Sequence, residues 1–391
     1  MLKLINCYYG YSIIWTLILI LYVFSFSDLC TPLDTGLLIF LVFTIIFSFI
    51  IGYTQRKKFQ INIKSENPHK NKNTTLLFII IFILFFINSK EIPIVSILGG
   101  KSISDISMKG IPHFNIIIAS SSIVYSFYLS YLFVVYKKKD LLYENIIIIL
   151  FHILLVARQN ILIIILGFIY FFYSSKKEEI KNSLIQRKKR TKRIVLLFLI
   201  SAFILYIFGI IGNFRYGSKF KWNETYMIEN LGKINDNWPS FLSKQYFWSY
   251  IYVVSPLANL NANVIMYKNS STDYRKYFSE FIPEFINEKI NGKKDAVYLP
   301  VKSLNVCTTY VRAYNYFGYL GLYVMFFVYM FIITLITNLC YKHNTTLFPT
   351  IVMSLTYVLW FTFFDNTIVY SISSLIIIIS FLLCFKYKNF T

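Results

Sequence analysis

Runs such as WTLILILYVF, TLLFIIIFILFFI and SLIIIISFLLCF are too apolar to lie on the surface of a soluble protein. A helix needs about 20 predominantly apolar residues to cross hydrocarbon, and backbone groups in lipid must bond within their own segment. The chain therefore reads as an all-α, polytopic bundle of membrane-spanning helices. Composition agrees: 57% of residues are hydrophobic and 15% charged, against roughly 25% charged in soluble domains. Ten spans are expected, at about 9–27, 35–53, 75–89, 114–136, 141–157, 160–174, 194–212, 316–339, 346–364 and 367–385. The first lacks a small-residue cleavage site and reads as an uncleaved signal-anchor helix.

One break interrupts this pattern. About 90 residues from Asn213 to Leu304 are mostly polar and aromatic. Three units result: an N-terminal bundle of seven spans (1–212), a large external loop with helical or re-entrant elements (213–304), and a C-terminal bundle of three spans (305–391). Within the loop, Tyr246 to Met266 is long enough to span. Its Ser255-Pro256 break and Asn259, Asn261 and Asn263 make it a poor lipid-facing helix, so it is expected to be re-entrant or to lie on protein. In YFSEFIPEFINEKI, Phe278, Phe281, Ile282, Phe285 and Ile286 recur at helical spacing opposite Glu280, Glu284 and Glu288. That pattern predicts an interfacial amphipathic helix, kinked or re-started at Pro283.

The net charge of +21 invites a nucleic-acid reading, but its distribution argues against one. With the N-terminus inside, the inner segments hold 22 basic and 5 acidic residues and the outer ones 17 and 13, +17 against +4. The positive-inside rule accounts for that asymmetry. The run RKKRTKR from Arg187 to Arg193 is wedged between two spans, where it sets topology beside anionic lipid. Cys30 and Cys307 both fall outside, which leaves a disulfide between them open; no cysteine spacing suits a metal.

Catalytic signatures of soluble enzymes are absent: no Walker loop, HExxH or GxSxG occurs. His152 lies within span five and reads as a core histidine bonded to a neighbouring helix. His113, at the outer start of span four, suits a proton acceptor or sugar contact as well as a helix cap. Three outer arginines carry more information in so lysine-rich a chain: Arg158 at a hairpin tip, Arg215 just after span seven, and Arg312 a turn or so before span eight. Each could snorkel to the headgroups. Three at one mouth favour a shared anionic ligand, since guanidinium presents a planar fork of donors and keeps its charge. Tyr310, Tyr314, Tyr316, Phe317 and the cluster at 246–252 could pack on sugar rings, or simply form the aromatic belt of a membrane protein.

KGIPHFNIIIAS, ARQNILIIILGFIYFF, GIIGNFRYGS, EFIPEFINEKI and NVCTTYVRAYNYFGYLGLYVMFF occur in that order. Together they resemble the O-antigen and capsule polymerases, the oligosaccharide repeat-unit polymerases of the Wzy type. Two positions depart from that pattern: Ala157 stands where a glycine would precede the arginine, and Tyr316 where an acid would precede Phe317-Gly318. The resemblance implies a metal-independent glycosyltransferase without cofactor, on the external face of a bacterial cytoplasmic membrane. Its donor and acceptor would be glycans on undecaprenyl pyrophosphate, its surroundings membrane lipid, and a chain-length regulator a further partner; nucleic acid is not expected. Arg215 and Arg312, with His113, would then be catalytic. Arg158, Tyr216, Tyr310, Tyr314 and Asp105 would bind substrate, and His113, Asp105 or Glu91 would take the acceptor proton. A flippase or other transporter of lipid-linked oligosaccharide, and an O-antigen ligase, are the competing readings.

Overall fold

The computed structural model describes residues 2–61, 72–98, 114–174, 202, 205–206, 209–210, 226–268, 272–292, 295–343 and 347–386. Most of the expected seventh span, the basic run at 187–193, His113, Asp105, Arg215 and Tyr216 lie outside the described residues.

The described chain is helical apart from a two-residue antiparallel ladder, β1 (Leu2–Lys3) against β2 (Gln60–Ile61). The longer helices are α1 (Cys7–Val23), α2 (Thr35–Gln55), α3 (Lys72–Ser89), α5 (Phe114–Tyr136), α6 (Lys139–Leu154) and α7 (Arg158–Ser174). They are followed by α9 (Gln245–Met266), α12 (Tyr310–Lys342), α13 (Phe348–Trp360) and α14 (Ser371–Lys386). Four short helices, α4 (Pro93–Leu98), α8 (Tyr226–Gly232), α10 (Tyr274–Ser279) and α11 (Glu284–Asn291), occupy the connections. Among the described residues, Thr35–Phe59, Phe114–Tyr136 and Tyr310–Lys342 are long and apolar enough to cross a membrane, and five shorter helices are strongly apolar.

Local chemistry sets the ends of the first two helices. Asn6 caps α1, its Oδ1 accepting from the Tyr8 amide at 3.0 Å, while its Nδ2 donates to Gly52 O at the far end of α2. Asp34 caps α2 by accepting from the amides of Gly36 and Leu37 at 2.8 and 3.2 Å. Such caps satisfy amides that the helix itself leaves open.

α5 carries small polar residues along one face, which lets neighbouring helices approach closely. Ser126 donates to Asn145 at 2.6 Å and Asn145 to Ser130 at 2.8 Å. His152 is fully buried, as its position in the sequence suggested. The Asn160 amide lies 3.3 Å from its Nδ1, and Ser122 Oγ 3.0 Å from its Nε2. With Asn160 donating, the imidazole is the Nε2–H tautomer, and the Ser122 hydroxyl is free to donate to Ala119 O at 3.0 Å.

The largest departure from the sequence reading is in α12. Phe317 and Gly318 break its helical dihedrals, with Gly318 at φ +58° and ψ −151°. In a straight helix Thr309 and Tyr329 would lie about 30 Å apart. Here Thr309 Oγ1 donates to Tyr329 Oη at 3.0 Å. Gly321 packs so close to Ala313 that an added Cβ would meet Ala313 O at 2.3 Å. The segment therefore reverses at Gly318: a first arm, 310–317, runs antiparallel to the second, 319–342. Span eight, expected from 316, is the second arm, and the residues before it form a re-entrant stub.

Only glycine adopts the Gly318 conformation without strain. Gly318→Ala should cost about 1–3 kcal/mol, read as a lowered thermal midpoint of the detergent-purified protein. An unchanged midpoint would show that the reversal is not under this constraint.

α9 fulfils the expectation that it packs on protein. Its face from Val254 to Leu260 is buried despite Pro256 inside the helix. Its three asparagines tie down neighbouring backbone. Asn259 donates to Leu304 O and Val306 O, both at 2.8 Å, and Asn261 to Thr31 Oγ1 and Pro32 O, both at 3.0 Å. Asn263 donates to Tyr298 O at 2.8 Å.

The single amphipathic helix expected over Phe278–Glu288 is two helices, α10 and α11, joined at Pro283. Glu280, expected on the polar face, is 1% exposed, and Phe278 is 64% exposed. Proline provides no amide and disfavours helical dihedrals in the residue before it, so the helical phase is lost between the two halves. The cysteines also pair otherwise than considered from the sequence: Cys340 is bonded to Cys384, while Cys30 and Cys307 are free.

Candidate functional site

The re-entrant stub ends in a buried polar cluster. Tyr329 Oη is its hub, taking Thr309 Oγ1 at 3.0 Å, Thr367 Oγ1 at 3.1 Å and the Ile368 amide at 3.0 Å, and donating to Asn366 Oδ1 at 2.9 Å. Tyr329 lies eleven residues beyond Gly318, so the hub sits about 16 Å below the reversal along the helix. The turn between α13 and α14 is recessed to the same level. The Thr309 amide donates to Thr362 O at 2.8 Å, and Trp15 Nε1 donates to Thr362 Oγ1 at 3.1 Å.

Asn366 turns its amide toward Glu280, donating to its backbone O at 3.1 Å and to Oε2 at 3.2 Å. α10 delivers that carboxylate from the level of the reversal. The Asp273 amide is bonded to Tyr316 O at 2.9 Å, and Tyr277 Oη to Gly321 O at 2.9 Å. The next turn is fixed by the Glu284 amide on Val369 O at 2.9 Å. Loop and bundle thus meet at one carboxylate that is nearly inaccessible to solvent.

Arg312 stands on the stub, about 9 Å along the helix from Gly318. Its Nε is buried without a hydrogen-bond partner among the described residues. A buried, unpaired polar atom costs about 1–3 kcal/mol, and more when charged. Arg312 and Asp365 both act electrostatically on the Cys307 thiol, and Arg312, Glu280 and Asp295 on Tyr316. Burial pushes the Cys307 thiol up to about 11, with Arg312 pulling the other way. Cys307 is therefore a neutral thiol at physiological pH, unsuited to act as a nucleophile. The group that stands out is the Arg312 guanidinium, half-buried on the stub with its Nε left unpartnered.

A second set of contacts holds the reversal. Tyr319 Oη donates to Asp34 Oδ1, and Lys268 Nζ is 3.9 Å from Asp34 Oδ2. The Tyr319 hydroxyl, with the capped amides and Lys268, holds the Asp34 carboxyl below its usual range against the opposing effect of burial. The end of α2 is thereby fastened to the top of the second arm.

Of the residues expected to bind or react, the structure brings Arg312, Tyr310 and Tyr314 together on the stub. Arg312 is not at the outer end of a span but on a returning arm inside the bundle. Tyr310 and Tyr314 do not line an open surface. Tyr310 is wholly buried, its hydroxyl 2.7 Å from Tyr11 Oη and its ring against Trp15 and Phe40. Tyr314 is 2% exposed and donates to Val264 O at 3.2 Å. Rings enclosed on both faces have no face left for a sugar, and both are packing residues. In the aromatic stretch at 246–252, Phe247, Trp248 and Tyr250 are likewise buried. Arg158 is the first residue of α7, at the tight turn after α6, where Val156 takes a φ of +56°.

The sequence reading missed Glu280, Asp365, Asn366 and Tyr329. For Asp365 and Asn366 a signal was present: FFDNT places an acid and an amide between two strongly apolar runs, inside what reads as one hydrophobic hairpin. No family model matches the chain, and neither does any curated protein or solved structure.

Proposed function

We propose that the chain is a membrane-embedded glycosyltransferase that joins lipid-linked oligosaccharide repeat units on the external face of a bacterial cytoplasmic membrane. The observation that carries this reading is the buried, unpartnered Nε of Arg312 on the re-entrant arm, together with the buried carboxylate of Glu280 on the loop that closes over that arm. Ionisable groups so placed in a membrane protein mark functional sites more often than packing. Transfer from undecaprenyl pyrophosphate needs a fixed cation where negative charge accumulates on the leaving group. It also needs a base for the acceptor hydroxyl. Arg312, with Arg215, would supply the first and Glu280 the second; neither role requires a metal. The order of motifs that resembles the repeat-unit polymerases supports the same assignment.

In this reading the chain crosses the membrane ten times with both termini inside. α9 and the stub are re-entrant on the external side, together with residues 213–304. A cysteine at Lys302 should then react with an impermeant thiol reagent in intact cells, and one at Lys58 only after permeabilisation. External labelling at Lys58 would reverse the topology.

A transporter of lipid-linked oligosaccharide is the second reading. It is favoured by the break at Phe317–Gly318, since transporters build substrate sites from discontinuous helices. Among the described residues that break has no counterpart in the first half of the chain. Surface glycan from a deletion strain separates the readings. A core carrying a single repeat indicates lost polymerisation. An unmodified core with full-length lipid-linked glycan indicates a ligase, and a core with no repeat at all indicates a flippase.

A further inference from the structure

An apolar tip protrudes from the loop. Phe241 is 84% exposed, the highest value among the large hydrophobic side chains of the described residues, and Leu242 beside it is also exposed. Soluble loops seldom present phenylalanine in this way, and the turn beneath it is firmly built. Trp238 Nε1 donates to Leu242 O at 3.2 Å, and the Trp238 and Leu242 amides close turns onto Asn235 O and Pro239 O.

The turn's height relative to α1 is fixed. Asn235 Nδ2 and Asn237 Nδ2 donate to Ser25 O at 2.9 and 3.2 Å, and the Asn235 amide to Phe26 O at 3.2 Å. The Asp28 amide donates to Lys233 O at 2.9 Å, and Ser27 pairs with Ile234 in an antiparallel bridge. Ser25 directly follows the C-cap of α1, so the turn is registered to the C-terminal end of that helix.

The lipid-facing side of α1 runs into it. Ile13, Leu17, Ile20 and Phe24 are all exposed and follow one another at three- and four-residue spacing, which aligns them on one side of the helix. Phe24 stacks on Phe26 at 5.5 Å, and Phe26 meets Trp238 edge-on at 5.5 Å. An exposed apolar stripe on α1 thus continues into the turn. The charges around it, Lys233 and Lys244 against Asp28, Glu229 and Asp236, leave no net attraction to an anionic surface, and Lys244 is already paired with Glu229 at 2.5 Å.

The geometry points to the turn at 238–242 as a membrane anchor, with Phe241 and Leu242 inserted at the headgroup–acyl boundary beside the end of α1. The partner is a lipid surface, recognised through apolar contact and not through charge. The anchor holds the large loop down on the bilayer and sets the height of α9, which follows directly. This inference goes beyond the proposed transferase activity and holds for a transporter equally, because it depends only on α1 crossing the membrane.

The test is collision accessibility of a nitroxide at Phe241→Cys, and separately at Leu242→Cys, in a Cys307→Ser background. The full chain would be reconstituted in nanodiscs of neutral phosphatidylcholine. Leu17→Cys provides the lipid-facing reference and Lys58→Cys the aqueous one. Molecular oxygen should dominate over a nickel chelate at both loop positions, as at Leu17, and the ratio should be unchanged between low and high salt. Dominance of the chelate, as at Lys58, would place the turn in water and overturn the anchor. Low accessibility to both reagents would overturn it too, by showing the tip covered by protein, such as a second copy of the chain. Phe241 is so exposed that its replacement leaves the packing of Trp238 and Phe247 intact, which keeps the measurement interpretable.

Discussion

Arg312→Ala should abolish glycan polymer, and Arg312→Lys should restore little of it. Loss of a charge-assisted contact in a partly dehydrated site costs about 2–4 kcal/mol, or roughly 30- to 1000-fold in rate. Lysine keeps the charge but not the planar fork. The structure sharpens this expectation, because Arg312 is on the re-entrant arm and its Nε is buried. Lysine at the same position puts its Cε, a methylene with no hydrogen-bond donor, where the Nε lies. An arginine that only snorkels to headgroups behaves in the opposite way, since lysine snorkels equally well. The measurement is polymer per unit of membrane-inserted protein for the wild type and both variants. Full rescue by lysine would sink the role of Arg312 as an anion clamp. A variant that fails to insert would show up in the denominator and not in the ratio. Arg158 and Arg215 take the same pair of substitutions, and Arg158 carries the weaker expectation because Ala157 precedes it where the resembling polymerase motif has glycine.

What was legible in the sequence follows from how each feature is encoded. Continuous apolar runs mark spans, and the expected 114–136 coincides with Phe114–Tyr136, as 35–53 does closely with Thr35–Gln55. Asn259, Asn261 and Asn263 signalled that α9 packs on protein, because three amides on a helix need partners that lipid cannot provide. The re-entrant stub was hidden for a related reason. Residues 310–317 are aromatic and apolar and adjoin a span, so hydropathy merges the two, and one glycine dihedral makes the difference. Glu280 was misplaced because its charged side was taken to face water, whereas the short helix before Pro283 turns Glu280 onto Asn366 and leaves Phe278 exposed. The aromatic residues Tyr310 and Tyr314 misled in another way. Aromatic side chains serve cores, membrane belts and sugar sites alike, and the sequence does not say which faces are enclosed. His113, Asp105, Arg215 and Tyr216 lie outside the described residues, so the proposed site rests on Arg312 and on the buried Glu280.

Glu280 separates a structural centre from a chemical one. Glu280→Ala removes the Oε2 that accepts from Asn366, within a network that also holds Tyr329, Thr309 and Thr367. Breaking one contact in a buried network costs about 1–3 kcal/mol, so this variant should melt earlier whatever the protein does. Glu280→Gln is the informative change. The amide oxygen can still accept from Asn366, and the side chain keeps its volume, so the thermal midpoint should stay close to that of the wild type. It cannot accept a proton from an acceptor hydroxyl, and it no longer offsets the charge of Arg312. If the carboxylate acts as the base, polymer formation should fall by roughly 10²- to 10⁴-fold, the usual contribution of general acid–base catalysis. Binding of a lipid-linked donor should persist in the same variant, since Arg312 is untouched and its neighbourhood has become less negative. Full polymer output from a stably folded Glu280→Gln protein would assign Glu280 to the scaffold, as the residue that fastens the external loop to the recessed turn between α13 and α14.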